Sequence, residues 1–438
     1  MPALLAAALI ATPLAAQTQP APAPPAQTNP VIAQRARELV TLLNGGGDVS
    51  ALFDPAFLAQ VPEAKVRAIG QQLNEGLGKA ISVQAIDPVR ADGARIRIAY
   101  ERGVVSMNLA INPAAGNRIV GLLITGTSTL ETSIETVRSA LESEPGLTGF
   151  TFDKLGDGAP QVLQADNADR PAAIGSAFKL AILAELIRET NAGTRHWDDM
   201  VTLDGAPLPG GAYTQTPAGT QVSIRELASK MIAISDNSAT DILLKVVGRE
   251  AVEAILPVIG WHDAARNRPM LSTLDMFKLK GLQGGALGRR WLTLDEAGRR
   301  KLLADEIEPA PLSAIDPGLF KDGKPLMLDI EWYASPADLV RTMDWIRRNT
   351  QSGTGAEARK ILAINPGVGP EVASHWAYVG YKGGSEPGVI SMTLLLQAKD
   401  GAWYVLSGNW NNTDAAVDDA RFIALMSRAA ELAAPAAP

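Results

Sequence analysis

The 438-residue chain contains no cysteine. That removes disulfides, thiolate nucleophiles and cysteine metal ligands, and with them a lipid anchor on an N-terminal cysteine. Histidine is scarce: His196, His262 and His375 are the only three, and no two stand at the spacing of a zinc pair. Each reads as a surface or packing residue, although His375-Trp376, shortly before Lys382, is a candidate for the wall of a cleft. No phosphate loop or dinucleotide fingerprint occurs, and no Gly-x-Ser-x-Gly; the nearest stretch, Gly383-Gly384-Ser385-Glu386-Pro387, ends in proline. Positive charge is in short supply too: the formal net charge is -7 and no run of lysines or arginines occurs, which argues against nucleic acid as a partner. The N-terminal apolar run, Ala3 to Ala16, is too short to span a bilayer comfortably.

What is present is a large apolar inventory, 46% of the residues, enough for two or three domains with substantial cores. Residues 1–16 read as a signal peptide ending in small residues, and 17–30 as a Pro/Ala/Gln-rich exported linker, so a periplasmic or secreted protein with no membrane anchor after cleavage is expected. Residues 31–127 form a small α+β domain. Helical spacing covers Val31 to Leu43 and Glu63 to Leu77, and period-two patterning follows over Ile81 to Ile86, Arg95 to Arg102, Val104 to Ile111 and Arg118 to Ile124. Nothing catalytic stands out in it. Residues 128–146 read as a connecting helix, and 147–434 as an α/β domain with early strands, a long helical region, late strands at Ala377 to Lys382, Val389 to Ala398 and Trp403 to Asn409, and a terminal helix from Ala415 to Leu432. The expected fold class is thus a two-domain α/β (α+β) protein whose second domain has an antiparallel sheet flanked by helices. No repeat of 20 to 50 residues is found.

The chemistry is concentrated in Gly175-Ser176-Ala177-Phe178-Lys179, followed by an apolar helical run. Ser176 and Lys179 lie one turn apart on one helical face, and a helix starting at Ser176 would place its hydroxyl at the positive end of the macrodipole. Lys179 can accept the serine proton only if neutral, and burial against Ala181, Ile182 and Leu183 would move it toward that state. Alone, such a pattern is more often a helix cap with a solvated lysine. Two companions raise its weight: Ser235-Asp236-Asn237, which also reads as a cap for the next helix, and Lys382-Gly383-Gly384-Ser385 at the end of a strand-like run, which also reads as a lysine on a hairpin turn.

These three elements stand in the order Ser-x-x-Lys, Ser-Asp-Asn, Lys-(Thr)-Gly, and from about residue 147 to 432 the chain resembles the serine β-lactamase and penicillin-binding protein superfamily. The resemblance implies Ser176 as acylated nucleophile, Lys179 as its proton acceptor, and Ser235 as relay toward the leaving group, with Lys382 holding that hydroxyl. It implies Asn237 as a ligand of a substrate amide or of Lys179, and the main-chain N–H groups of Ser176 and Ser385 as oxyanion donors beside Gly383 and Gly384. No cofactor is required; the expected partner is a small β-lactam or ester-like molecule. Two departures mark the chain. Gly383 stands where a threonine or serine hydroxyl usually meets the substrate carboxylate, with Ser385 as a possible substitute, and the Glu-x-x-Leu-Asn motif that releases the acyl group in class A enzymes is missing. Acidic residues in the region His262 to Ser335, such as Asp275 and Glu331, carry no motif and read as solvated surface carboxylates; Leu294 to Ile307 there reads as helical.

With its extra first domain, the chain resembles a two-domain subgroup of β-lactamase-like serine hydrolases, one of them from the clavulanic acid biosynthesis cluster. In that subgroup the first domain is similar to steroid isomerase and cyclase folds, and Phe53-Asp54-Pro55, Phe57 and Val61-Pro62 look like its second-helix entry. Two classes of function stay open at this point: an exported serine hydrolase, a true class A β-lactamase included, or a module that traps or recognises penicillin with little turnover.

Overall fold

The computed structural model describes residues 29–320 and 323–435, so the run Ala3 to Ala16 and almost all of the linker lie outside the described residues. The first helix, α1 (Pro30–Leu43), starts where its sequence permits: the Asn29 side chain accepts the Val31 N–H and proline fills the first helical position. After two short helical turns, Val49–Leu52 and Pro55–Gln60, α2 (Glu63–Leu77) packs beside α1. Four strands follow, β1 (Ala80–Arg90), β2 (Gly93–Tyr100), β3 (Gly103–Asn112) and β4 (Arg118–Ser128), paired antiparallel in sequence order. Alternation decides which face is buried: Ile96, Ile98 and Tyr100 turn toward Leu39 and Leu42 of α1, while Arg97 and Ser106 emerge on the other side. There Arg97 meets Glu371 of the second domain at 3.5 Å and the Ser106 hydroxyl donates to the same carboxylate at 3.2 Å.

The connecting segment is less helical than its sequence pattern, with only α3 (Ile134–Glu142) formed. Ser133 begins it through a capping box with Thr136, and Pro145 with Gly146 at φ +112 bars continuation. The second domain then lays down β5 (Leu147–Leu155) and β6 (Gln161–Asp166). Its helical region contains α4 (Lys179–Asn191), α5 (Ile224–Ala233), α6 (Asn237–Val247), α7 (Thr273–Gly281) and α8 (Pro336–Asn349). The chain returns through β7 (Tyr378–Glu386), β8 (Val389–Gln397) and β9 (Trp403–Asn411) before closing with α9 (Asp419–Leu432). The terminal helix starts at Asp419 rather than Ala415 because the Asp418 carboxylate caps it, accepting the Arg421 N–H. Between Leu294 and Ile307, α-helix is confined to Glu296–Leu302, with a wider turn over Leu303–Ile307.

The five strands run antiparallel in the order β7-β8-β9-β5-β6. Both faces are covered, so β8 reads as an almost unbroken apolar run. Leu395 joins the core around α4 and α8, while Leu394 and Leu396 join the one built with Phe422, Leu425 and Met426 of α9. This arrangement leaves β7 at the edge, with its free side toward the turn that carries Ser176, and that position makes the site.

Candidate active site

Ser176 does not begin an α-helix. It sits in a 3₁₀ turn, Gly175–Phe178, and regular α4 starts at Lys179, so the hydroxyl lies in the tight turn feeding the helix. The turn is held from three sides. The Ile174 N–H donates to the Trp332 carbonyl at 3.0 Å, the Ser391 hydroxyl of β8 donates to the Ile174 carbonyl at 2.8 Å, and Phe178 stacks on Trp332 with ring centroids 3.7 Å apart. Gly175 adopts φ +49, a left-handed conformation glycine reaches without strain.

Glycine also explains how β7 approaches. A Cβ on Gly384 would strike the Ser176 nitrogen and the Ile174 carbonyl, and one on Gly175 would lie 3.1 Å from the Ser385 nitrogen. Main chain therefore meets main chain here, bringing the amides of Ser176 and Ser385 to one end of a cleft of about 420 Å³. Two main-chain nitrogens side by side at a cleft are what the expected oxyanion site requires. Gly384→Ala is expected to cut the acylation rate by about 10² or more, the scale of losing one oxyanion donor, because the obstructing atoms are backbone and cannot swing away; adduct formation followed by mass spectrometry would measure it.

Lys179 is fully buried and gives its amine to three oxygens: the Ser235 carbonyl at 2.6 Å, the Ser235 hydroxyl at 3.1 Å and Asn237 Oδ1 at 2.8 Å. Burial pushes its pKa down to about 7, against the pull of Asp241 and Asp236. Lys382 approaches the same hydroxyl from β7, donating to Ser235 Oγ at 3.0 Å and to the Gly383 carbonyl at 2.6 Å. Burial, reinforced by the charge of Lys179, drives its pKa well below the usual lysine range. One hydroxyl thus bridges two amines that cannot comfortably both be charged. Ser235 is presented by a strained φ of +57, held by the helix that begins after it. The central residue of that motif is structural: Asp236 caps α6, accepting the Ala239 N–H and the Ser238 hydroxyl, and also takes the Ala212 N–H. Burial opposes ionisation of this carboxyl, yet these hydrogen bonds hold its pKa below the usual value. The tripeptide caps α6 and also lines the cleft through Ser235 and Asn237, and Lys382 lies within a strand, not on a hairpin turn.

Residues 129–364, more than half of the chain, match the family model described as Beta-lactamase enzyme family. The chain belongs to that family. Among solved structures it is similar to a β-lactamase from Sphaerobacter thermophilus (20% identity, covering 68% of this chain and 95% of that one, TM-score 0.45), to PBP-A (16%, 68% and 93%, 0.45), and to L2 in complex with relebactam (19%, 69% and 95%, 0.45). No curated protein matches. The family match ends before Lys382, so the third motif joins the β-lactamase-family site on geometry: its amine is 3.0 Å from Ser235 Oγ.

Not every expected residue reached this β-lactamase-family cleft. Trp376 is buried against the terminal helix, donating to the Ala430 carbonyl, and neither it nor His375 lines the cleft. Asp275 and Glu331 are buried, not solvated. Asp275 completes the capping box of α7, accepting the Ser272 N–H, and pairs with Arg249 at 3.1 Å. Glu331 pairs with Lys280 at 2.9 Å, and Lys280 also reaches Glu386, the residue after Ser385, at 2.8 Å. Burial alone would lower the Lys280 pKa, but the two carboxylates outweigh it and keep the amine charged. Glu386 is raised by burial and by Glu331. No spacing announces this cluster, because its members come from α7, β7 and a loop. Tyr381 was also missed. It sits two residues before Gly383 on β7 and so shares its face, a relation the period of two contains.

Proposed function

We propose that this chain is an exported serine hydrolase that forms an acyl-enzyme on Ser176 with a β-lactam, an ester or a related amide. The observation carrying this reading is the buried amine of Lys179, tuned to about pH 7 and tied to Ser235 and Asn237 one turn from Ser176. Ser176 Oγ attacks the carbonyl carbon while its proton passes to Lys179, directly or through water, and the carbonyl oxygen takes up negative charge between the Ser176 and Ser385 N–H groups. Collapse of the tetrahedral intermediate breaks the bond to the leaving group, which receives a proton through Ser235, held by Lys382. Asn237 Oδ1 faces Lys179, leaving its amide N–H group for a substrate carbonyl.

Release needs water and a base. The sequence lacks the Glu-x-x-Leu-Asn motif, and among the described residues lining the cleft the carboxylate is Asp419, from the first turn of α9. Lys179, having lost its proton, is the remaining base, so the acyl-enzyme is expected to persist longer than in an enzyme with a dedicated carboxylate. This observation favours the second reading, a slowly turning penicillin-binding module, over a fast class A β-lactamase. Export is supported by the run Ala3 to Ala16 followed by small and proline-rich residues.

Intact-mass spectra of the protein incubated with nitrocefin, a penicillin and a small acyl ester test both readings. An adduct that forms on the wild type and not on Ser176→Ala is expected; adduct with product accumulation marks an enzyme, and adduct without product a trap. Absence of any adduct with all three compounds would remove Ser176 acylation from the account.

A further inference from the structure

The side chains around the cleft point to the kind of acyl donor it takes. Among the described residues lining it, Lys382 and Asp419 are the two ionisable as ammonium or acid, and none is arginine. The Lys382 amine is turned inward onto Ser235 Oγ and the Gly383 carbonyl and is fully buried, so it is a poor counter-ion for a substrate carboxylate. Among the described residues no cation pairs with Asp419; burial and the adjacent Asp418 act on it, and both raise its pKa. The rim is apolar, with Ile234 and Ile423 exposed on either side. The departure at Gly383 has a steric cause as well. A Cβ there would collide with the Tyr381 hydroxyl and stand 2.8 Å from the Ser391 carbonyl, so the phenol occupies the space a threonine side chain would need.

We propose that this cleft selects neutral acyl donors, esters or amides without a carboxylate beside the scissile bond, with Asp419 repelling the carboxylate and the Tyr381 hydroxyl supplying a neutral polar contact in place of the missing motif hydroxyl. The proposal rests on acylation at Ser176 but concerns what enters, so the two can fail separately. A free carboxylate brought to this wall meets one uncompensated negative charge and loses hydration without gaining a guanidinium or an exposed ammonium. A neutral ester loses little on entry and covers the isoleucine rim.

Nitrocefin and its methyl ester form a matched pair. Acylation of the wild type by the methyl ester is expected to be about tenfold faster than by the free acid, the scale of one partly screened charge pair. Asp419→Asn should shrink that ratio to about two- or threefold, with the larger change in the free-acid rate. Tyr381→Phe, which removes only the hydroxyl, should slow both probes alike; a loss confined to the free acid would mean that the phenol receives a carboxylate and would overturn the proposal. Dissociation constants for the two probes on Ser176→Ala give a readout independent of chemistry. If the wild type is not acylated but Ser176→Ala binds the ester more tightly than the acid, the selectivity stands and acylation falls. Equal or tighter binding of the free acid, or an acid rate that matches the ester rate, overturns the selectivity whatever the acylation result.

Discussion

Replacing Lys179 by alanine is expected to lower the rate of Ser176 acylation by about 10³-fold, within the range a positioned general base supplies. The loss has two sources. The proton acceptor disappears, and the Ser235 hydroxyl and Asn237 amide lose the amine that fixes them at 3.1 and 2.8 Å. A pH profile separates base catalysis from positioning. With its pKa pushed down to about 7 by burial, Lys179 is protonated and inactive as a base below that value, so wild-type acylation should fall about tenfold per pH unit as pH drops below 7 and level off above it. In Lys179→Ala this break should vanish, leaving a slow rate without a midpoint near 7. A wild-type profile flat between pH 5.5 and 8.5 would exclude Lys179 as the base. Lys382 shares the Ser235 hydroxyl with Lys179 and its own pKa is lowered by burial, so the assignment to Lys179 rests on the loss of the break in Lys179→Ala.

The residues legible in the sequence were those whose role is local. Period-two alternation located β1 to β4 because one face of that sheet is covered by α1 and α2 and the other is largely polar. The Ser176–Lys179 spacing survived although the helix starts three residues later than expected, since a 3₁₀ turn also keeps residues three apart on one side. Glycine misled in one place. Gly383-Gly384 reads as the end of a strand, yet β7 continues to Glu386, and the missing side chain at 384 lets an edge strand touch the Ser176 turn. Glu331 could not be read correctly because what makes its burial tolerable, Lys280, is remote in sequence and brought in by α7. That helix is set by Asp241 of α6, whose buried carboxylate accepts the Thr273 and Leu274 N–H groups. Tertiary pairing of this kind leaves no periodic trace.

Lys280→Met is the substitution expected to damage the second domain most, by about 3–5 kcal/mol, because it leaves two carboxylates behind in a site where Lys280 and Glu331 side chains are each 1% exposed. Glu386→Gln should cost far less, since the Lys280–Glu331 pair stays intact and the amide oxygen can still accept from the amine. Lys280→Met combined with Glu331→Gln and Glu386→Gln should recover much of the deficit, because no uncompensated charge remains buried. The sign of the pH dependence follows from the same argument. Burial already raises the Glu386 pKa and Lys280 opposes that rise, so without the lysine this carboxyl holds its proton more tightly in the folded state than when unfolded, and the deficit of Lys280→Met should narrow as pH falls from 8 toward 5. Denaturant unfolding of the three variants at these pH values measures all of this, and a cost below about 1 kcal/mol at pH 8 would show that the carboxylates do not depend on Lys280. The cluster also borders the chemistry on two sides. Glu386 follows Ser385, while Glu331 precedes Trp332, whose carbonyl receives the Ile174 N–H and whose ring lies on Phe178. Loosening it should therefore relax both oxyanion donors together, so Lys280→Met protein that remains folded is expected to acylate slowly while binding a β-lactam non-covalently about as well as the wild type.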